Sequence, residues 1–201
     1  MPLPFSDPQR QLKHQRAIQV QAYARADGLW EVDAFVRDSK TRPTGSRGRE
    51  RPAGEPIHDL HLRIVVDAAF NIVASGAESM ATPYPGHCDD HGDRYAQLAG
   101  LNLMRGFKRA VRERLGGVRG CTHLTELADV LPTAVVQAFA GEVLEVHPDS
   151  ETQPFQIDRC HALASDGHAV RLHYPRWFRQ PGANNLSENP APATPSAPPG
   201  D

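Results

Sequence analysis

Residues 17–37, AIQVQAYARADGLWEVDAFVR, carry the strongest structural signal in the sequence. Apolar and polar residues alternate on both sides of the pair Asp27-Gly28, and such alternation is typical of strands with one buried face. An Asp-Gly pair between two alternating runs indicates a tight turn, because glycine tolerates the positive φ that the turn requires. The stretch therefore predicts a β-hairpin.

Two further strands are predicted downstream of this hairpin. Residues 58–67 place leucine, isoleucine and valine at every second position, and residues 72–80 are predicted to form the partner strand. Pro83 and Pro85 follow, and a proline cannot donate a hydrogen bond within a central strand. This segment should therefore be a loop, and it presents Cys88.

Helical periodicity dominates the centre of the chain. Residues 93–115 carry a mostly apolar stripe and precede Gly116-Gly117, a pair that favours the end of a helix. A second helix is predicted to begin near Thr122. Pro132 is expected to kink it, or to separate it from a further helical stretch over residues 133–140.

These elements together predict an α+β fold with one mainly antiparallel sheet packed on one side by two or three helices. Weaker alternation within residues 155–174 suggests a second small hairpin. The length of 201 residues favours one domain. We predict an irregular arm over residues 1–15, a single α+β domain over residues 16–178, and a disordered, proline-rich tail over residues 179–201.

Composition and charge indicate the compartment in which the protein is expected and the kinds of partner that it is expected to bind. The formal net charge of −2 gives no support for binding nucleic acid or a membrane through global electrostatics. No apolar run approaches the roughly 18 residues of a membrane helix, and the start of the chain does not resemble a secretory signal. Three cysteines are too few for a disulfide framework and fit reduced thiols in a cytoplasm.

Arginines are concentrated in two places. Residues 39–56 are rich in Arg, Gly and Pro, and predict a solvated loop or, alternatively, a lid that grips an anion over a site. The arginines of residues 93–115 favour a solvated helix face, although they could also dock an acidic partner. The loop and helix are therefore the expected surface for any protein partner.

Each cysteine has a histidine close by in the sequence. The neighbours are His87, Cys88 and His91, then Cys121 and His123, then Cys160 and His161. Thiolate and imidazole are the usual ligands of zinc and other borderline metals. No pair forms a complete Cys-x-x-Cys knuckle, so a ligand set would have to be assembled by the fold.

Cys121 stands out because a glycine-rich segment turns into a helix at this position. The positive end of the helix dipole, Arg119 and His123 would each favour the thiolate form. Cys121 could therefore be a metal ligand, a nucleophile or a small packing residue. His58, at the start of the strand predicted from residue 58, is either a ligand or a residue bonded to backbone at the strand end.

Several motifs point to a known family. They are His58-Asp59-Leu60-His61-Leu62-Arg63, Pro83-Tyr84-Pro85 with Cys88, Leu98-Ala99-Gly100-Leu101 with Gly106-Phe107, and Gly120-Cys121-Thr122-His123-Leu124. Together they resemble a bacterial family catalogued as domain of unknown function 2889. The likeness covers roughly residues 16 to 178 and implies no particular activity.

A more distant resemblance concerns residues 57–140, which are similar in order to the NifU-like iron–sulfur scaffold family. That family has a Cys-Gly-Asp before a strand, a Cys in a later loop and a Cys at the start of its last helix. Here Asp59, Cys88 and Cys121 occupy the matching positions, whereas Ile57 and His58 replace the first Cys. The resemblance implies a NifU-like core and a site for zinc or iron formed by His58, Asp59, Cys88 and Cys121.

Three functions follow from these observations. The first is metal binding, with zinc or an iron or iron–sulfur group as the cofactor. The second is a metal-independent enzyme in which Cys121 is the catalytic nucleophile and His123 or His58 is the base. The third is a non-catalytic module that binds an acidic protein.

Overall fold

The computed structural model describes residues 3–46, 49–89 and 92–180. Contacts separate the chain into two compact units, one ending at Phe139 and one beginning at Ala140. The tail predicted to be disordered lies outside the described residues from residue 181 onward. The division into an arm, one domain and a tail stays a prediction.

The described residues of the first unit form six strands. They are β1 (His14–Ala24), β2 (Trp30–Lys40), β3 (Thr44–Ser46), β4 (Arg49–Arg51), β5 (Pro56–Val66) and β6 (Ile72–Ala81). Four of them form an antiparallel sheet in the order β1-β2-β5-β6, and β3 pairs separately with β4. The β1–β2 hairpin turns at Gly28 with a φ of 80°, as the Asp-Gly pair predicted.

Part of the arginine-rich segment differs from the prediction. Residues 39–56 were expected to be a loop, but β3 and β4 form a short hairpin within them. The sequence carries no strand signal here, because these strands are only three residues long and have no apolar alternation.

The helices are α1 (Phe107–Leu115), α2 (Thr122–Phe139) and α3 (His168–His173). The prediction of one helix over residues 93–115 was wrong. A 3₁₀ segment, Gly92–Leu98, precedes α1, and Gly100 and Gly106 between them have positive φ. The backbone there bonds to Ile72 at the start of β6 instead of continuing a helix.

Pro132 does not separate the second helix from residues 133–140 as predicted for one alternative, because α2 is continuous over Thr122–Phe139. The predicted hairpin within residues 155–174 was also wrong. Among residues 140–180 no strand is formed, and α3 covers part of that segment. The alternation there was too short to distinguish a strand from one or two helical turns.

The core of the first unit lies between α2 and one face of the sheet. Val36, Leu60 and Leu62 are fully buried on that face, and Leu131 is among the α2 residues buried against it. Phe139 closes one end, with its ring centroid 5.1 Å from that of Trp30. The α+β fold with helices on one side of an antiparallel sheet is therefore confirmed. None of the described helices has both the length and the apolarity to cross a membrane.

Candidate metal centre

Strand register brings three polar side chains together at one end of the sheet. Asp38 of β2 is the cross-strand partner of Arg16 on β1 and of His58 on β5. Because side chains alternate along a strand, Asp38 lies on the same face as Val36, which is the face that α2 covers. The first turn of α2 places His123 over the same point.

Asp38 is the centre of this cluster, and it is only 3% exposed. Arg16 donates from Nε to Oδ1 at 2.9 Å and from Nη2 to Oδ2 at 2.8 Å. His14 Nε2 lies 3.0 Å from Oδ1, and His58 Nδ1 lies 3.1 Å from Oδ2. His123 Nε2 approaches Oδ2 to 3.7 Å.

The Asp38 carboxylate is held in its charged form. Burial alone would raise its pKa, but the hydrogen bonds and charge of Arg16, with the contacts of His14 and His58, lower the pKa to about 2. The guanidinium of Arg16 also donates from Nη1 to Glu126 of α2 at 2.6 Å. Asp38 and Glu126 together therefore exceed the Arg16 charge by one negative charge beside the histidines.

Counting acceptor sites shows what remains available on Asp38. A carboxylate offers about four lone-pair directions. Arg16 uses two of them and His14 uses one. The fourth direction, on Oδ2, is shared between His58 Nδ1 at 3.1 Å and His123 Nε2 at 3.7 Å.

Both imidazoles at this position are biased towards the neutral form. Burial lowers the pKa of His58 most, and the neighbouring charge of His123 lowers it further. Burial also lowers the pKa of His123, followed by the charge of Arg16. A neutral imidazole is the form that binds a metal ion or accepts a proton.

The ligand atoms of Asp38, His58 and His123 all lie within 4.8 Å of one another. Among the described residues, this is the group of His, Cys, Asp and Glu side chains compact enough to hold a metal ion. His91, predicted as a neighbour of Cys88, lies outside the described residues.

Of the four residues that the sequence predicted as ligands, His58 belongs to this group. Asp59 follows it in β5 and contacts Arg37 instead, at 3.7 Å. Cys88 is half-buried in the loop after β6, where its amide donates to the Tyr84 carbonyl. Asp59, Cys88 and Cys121 are outside the compact group.

Cys121 nevertheless borders the centre. Its Sγ lies 3.9 Å from Nδ1 of His123, the ring nitrogen that does not face Asp38. The backbone of Cys121 is fixed by the Tyr95 hydroxyl, which donates to its carbonyl at 2.8 Å and accepts from its amide at 3.0 Å. Tyr95 therefore holds the start of α2, and with it His123, in place.

Sequence reasoning missed Asp38, Arg16 and His14. His14 and Arg16 lie at the start of β1, whereas the sequence analysis placed His14 in an irregular arm and began the strand alternation only at Ala17. The alternation from Ala17 onward could have been extended backwards, which would have put His14 and Arg16 on the same face as Ile18. Asp38 carries no local signal, since its importance comes from register.

Fold and site together define an α+β protein with a histidine–aspartate cluster able to hold a metal ion. Residues 14–137 match the sequence model of a family described as "Protein of unknown function (DUF2889)". The chain belongs to this family, and the matched segment contains the whole cluster. No curated protein and no solved structure matches the chain. None of these comparisons supports the resemblance to the NifU-like family.

Proposed function

We propose that the protein binds one divalent metal ion, zinc or iron(II), through Asp38, His58 and His123. The observation that supports this most directly is the separation of their ligand atoms, which is within 4.8 Å for every pair. Metal–nitrogen and metal–oxygen bonds to zinc are about 2.0–2.2 Å long, so two ligands of one ion lie at most about 4.4 Å apart, and binding would draw the three groups slightly closer together.

The chemistry of the donor set favours these two metals. Two imidazoles and one carboxylate are the protein ligands of several catalytic zinc sites and of the facial triad that binds non-haem iron(II). Three protein ligands leave at least one coordination position for water or a substrate. The arrangement therefore fits a reactive metal site better than a closed structural one.

Neighbouring residues would orient the ligands. Arg16 fixes the plane of the Asp38 carboxylate through two hydrogen bonds, and His14 occupies a third acceptor direction. Such outer contacts typically change metal affinity by about 10–100-fold when they are removed. Metal binding would replace the contact between His58 Nδ1 and Asp38 Oδ2.

The test uses the full chain, purified without a histidine tag and stripped of metal. Zinc and, under anaerobic conditions, iron(II) are titrated by calorimetry, with the bound metal counted by mass spectrometry. We expect one ion per chain, and a loss of affinity of at least about 100-fold in His58→Ala and in His123→Ala. The matched control is His173→Ala, which removes an exposed histidine and should change nothing.

Two results would overturn the proposal. One is the absence of stoichiometric binding of either metal by correctly folded protein. The other is unchanged affinity in both His58→Ala and His123→Ala, with circular dichroism showing an intact fold.

A second candidate function is thiol chemistry at Cys121. One nitrogen of His123 lies 3.9 Å from Sγ of Cys121 and the other lies 3.7 Å from Oδ2 of Asp38. Nucleophile, base and orienting carboxylate follow one another in this order in thiol and serine hydrolases. This function uses His123 as a base and needs no metal.

Alkylation of metal-free protein separates the two functions. In a Cys88→Ser, Cys160→Ser background, the thiol function predicts fast, stoichiometric labelling of Cys121 near neutral pH, and slower labelling after His123→Ala. Equal labelling rates with and without His123 would exclude His123 as the base. The third function proposed from the sequence is binding of an acidic protein by the arginine-rich loop and helix.

A further inference from the structure

The face of the sheet opposite α2 contains a groove that the metal centre does not use. It has a volume of about 320 Å³ and runs between β5 and β6. We call it the β5–β6 groove, and it is lined by His61, Arg63, Val65 and the β6 residues 74–78. His61, Arg63 and Val65 alternate with the core residues Leu62 and Ile64, which places them on this other face.

The groove exists because β6 has small residues opposite large ones. Gly76 is the cross-strand partner of Arg63, and Ala74 is the partner of Val65. A Cβ atom placed on Gly76 would have no heavy atom within 4 Å, so the space beside Arg63 is open. The floor, formed by Val65 and the alanines, is apolar.

Two side chains of opposite charge, Arg63 and Glu78, line this groove. Arg63 donates from Nε and Nη2 to Asp33, at 2.6 Å and 2.9 Å, and among the described residues its Nη1 has no hydrogen-bond partner. Glu78 contacts His61 Nδ1 through Oε1 at 3.0 Å, and within the same described residues its Oε2 is unbonded. One donor and one acceptor therefore remain for a ligand.

The two charged side chains are held in position by a buried pair. His61 Nε2 lies 2.8 Å from Oδ1 of Asp33, and both residues are less than 10% exposed, at 8% and 5%. The ring of Phe35 stacks on His61 with centroids 4.3 Å apart. Arg63 and Glu78 are thus both attached to this buried pair, although their side chains are 48% and 70% exposed.

We propose that the β5–β6 groove binds a small zwitterion, of the α-amino-acid type, with an apolar side chain. The carboxylate of the ligand accepts from Nη1 of Arg63, and its ammonium group donates to Oε2 of Glu78. Its apolar side chain lies on the floor between Val65 and Gly76. The volume is at the lower end of the range of about 300–1,000 Å³ found for ligand pockets, which suits a ligand of this size.

The strand register is compatible with one small ligand that contacts both Arg63 and Glu78. Glu78 pairs with His61, and Gly76 pairs with Arg63, so Arg63 and Glu78 are diagonal neighbours across the two strands. Diagonal neighbours lie about 7–8 Å apart. Two long side chains that start this close together can both be reached by the two charged groups of one amino acid.

The test measures binding of three compounds to the full chain by calorimetry and ligand-observed NMR. Leucine carries both charges, isocaproate carries the carboxylate alone, and isoamylamine carries the amine alone. We expect leucine to saturate one site below about 10 mM. Each analogue with a single charge should bind at least about tenfold more weakly, because one charge-assisted hydrogen bond is lost.

Two variants locate the site. Gly76→Val places a branched side chain in the groove, where its Cβ meets no heavy atom within 4 Å, and should abolish leucine binding while the thermal unfolding midpoint is kept. Glu78→Gln should weaken leucine binding about tenfold and leave isocaproate binding unchanged. Gln19→Val is the matched control, because Gln19 is exposed on β1 and lies outside the groove.

Several outcomes would overturn the inference. They are failure of leucine to bind, equal binding of leucine and isoamylamine, and unchanged leucine binding by a folded Gly76→Val variant. Each of these results is independent of metal, because the groove and the Asp38 cluster lie on opposite faces of the sheet.

Discussion

The imidazole rings of His58 and His123 lie with their centroids 3.7 Å apart and their planes at 32°. This contact joins β5 to the first turn of α2, over the buried carboxylate of Asp38. Burial lowers the pKa of both rings, and repulsion from His123 at this distance lowers the pKa of His58 further. Both rings are therefore available as neutral donors near neutral pH, which is what a metal ion or a proton-transfer step requires.

Two aspartates distinguish the ligand set that we propose from the set predicted by the sequence. Asp38→Asn should lower zinc affinity by at least about 100-fold, whereas Asp59→Asn should leave it within about threefold. The reason is that Asp38 Oδ2 faces both histidines, while Asp59 contacts Arg37. Calorimetric titration of both variants checks this, with circular dichroism to confirm folding. Loss of affinity in Asp59→Asn alone would favour the sequence-based set.

The difference between the two ligand sets shows what a single sequence can reveal. The hairpin around Gly28 and the alternation of β5 are local patterns, so the sheet and its buried face could be predicted. The meeting of Asp38 with His123 depends on strand register and on how α2 packs, and no local pattern encodes either. The helix predicted over residues 93–115 failed for a different reason. The apolar spacing of that segment alone indicates a helix, but Gly100 interrupts it with a positive φ.

The network on the other face of the sheet should make stability depend on acidity. The hydrogen bonds from Arg63 hold the pKa of Asp33 below its usual value of 3.8. A lowered pKa in the folded state means that the unfolded state binds the proton first as pH falls. The stabilising contribution of Asp33 is therefore complete above its unfolded pKa and is lost as pH falls through its folded pKa.

Asp33→Asn is expected to lower the free energy of unfolding by about 1–3 kcal/mol near neutral pH, because Arg63 and the buried His61 lose a charged acceptor. The difference from the wild type should shrink as pH is lowered towards about 3. Urea unfolding at several pH values measures both effects. Asp149→Asn, at a side chain that is 87% exposed, serves as the control. A difference that stays constant with pH would contradict the assignment.

Phe139 anchors the end of α2 on the sheet. Its side chain is fully buried, and its ring centroid lies 5.1 Å from that of Trp30 and 4.9 Å from that of Phe70. Phe139→Ala should therefore lower the free energy of unfolding by about 3–5 kcal/mol through lost burial and a new cavity. Val118→Ala, at a residue that is 98% exposed, should change it by less than about 0.5 kcal/mol. Chemical denaturation of the two variants makes the comparison.

Gly120 couples the packing before α2 to the metal centre. Its φ of −152° is ordinary extended backbone, but a Cβ there would lie 2.6 Å from the Leu115 carbonyl oxygen and 3.1 Å from the Tyr95 hydroxyl. Gly120→Ala must therefore move the backbone, at a cost of about 1–3 kcal/mol. The same shift disturbs the two hydrogen bonds by which Tyr95 holds Cys121, and hence the position of His123.

We expect Gly120→Ala to lower both the free energy of unfolding and the zinc affinity, the latter by about 10-fold, since Gly120 acts on a ligand only through its support. Gly76→Ala is the matched control, because its added Cβ meets no atom within 4 Å and it lies on the other face of the sheet. If the two alanine variants bind zinc equally, the Tyr95–Cys121 contact does not position His123. If Gly120→Ala loses stability but keeps its zinc affinity, the start of α2 can shift without moving the ligand.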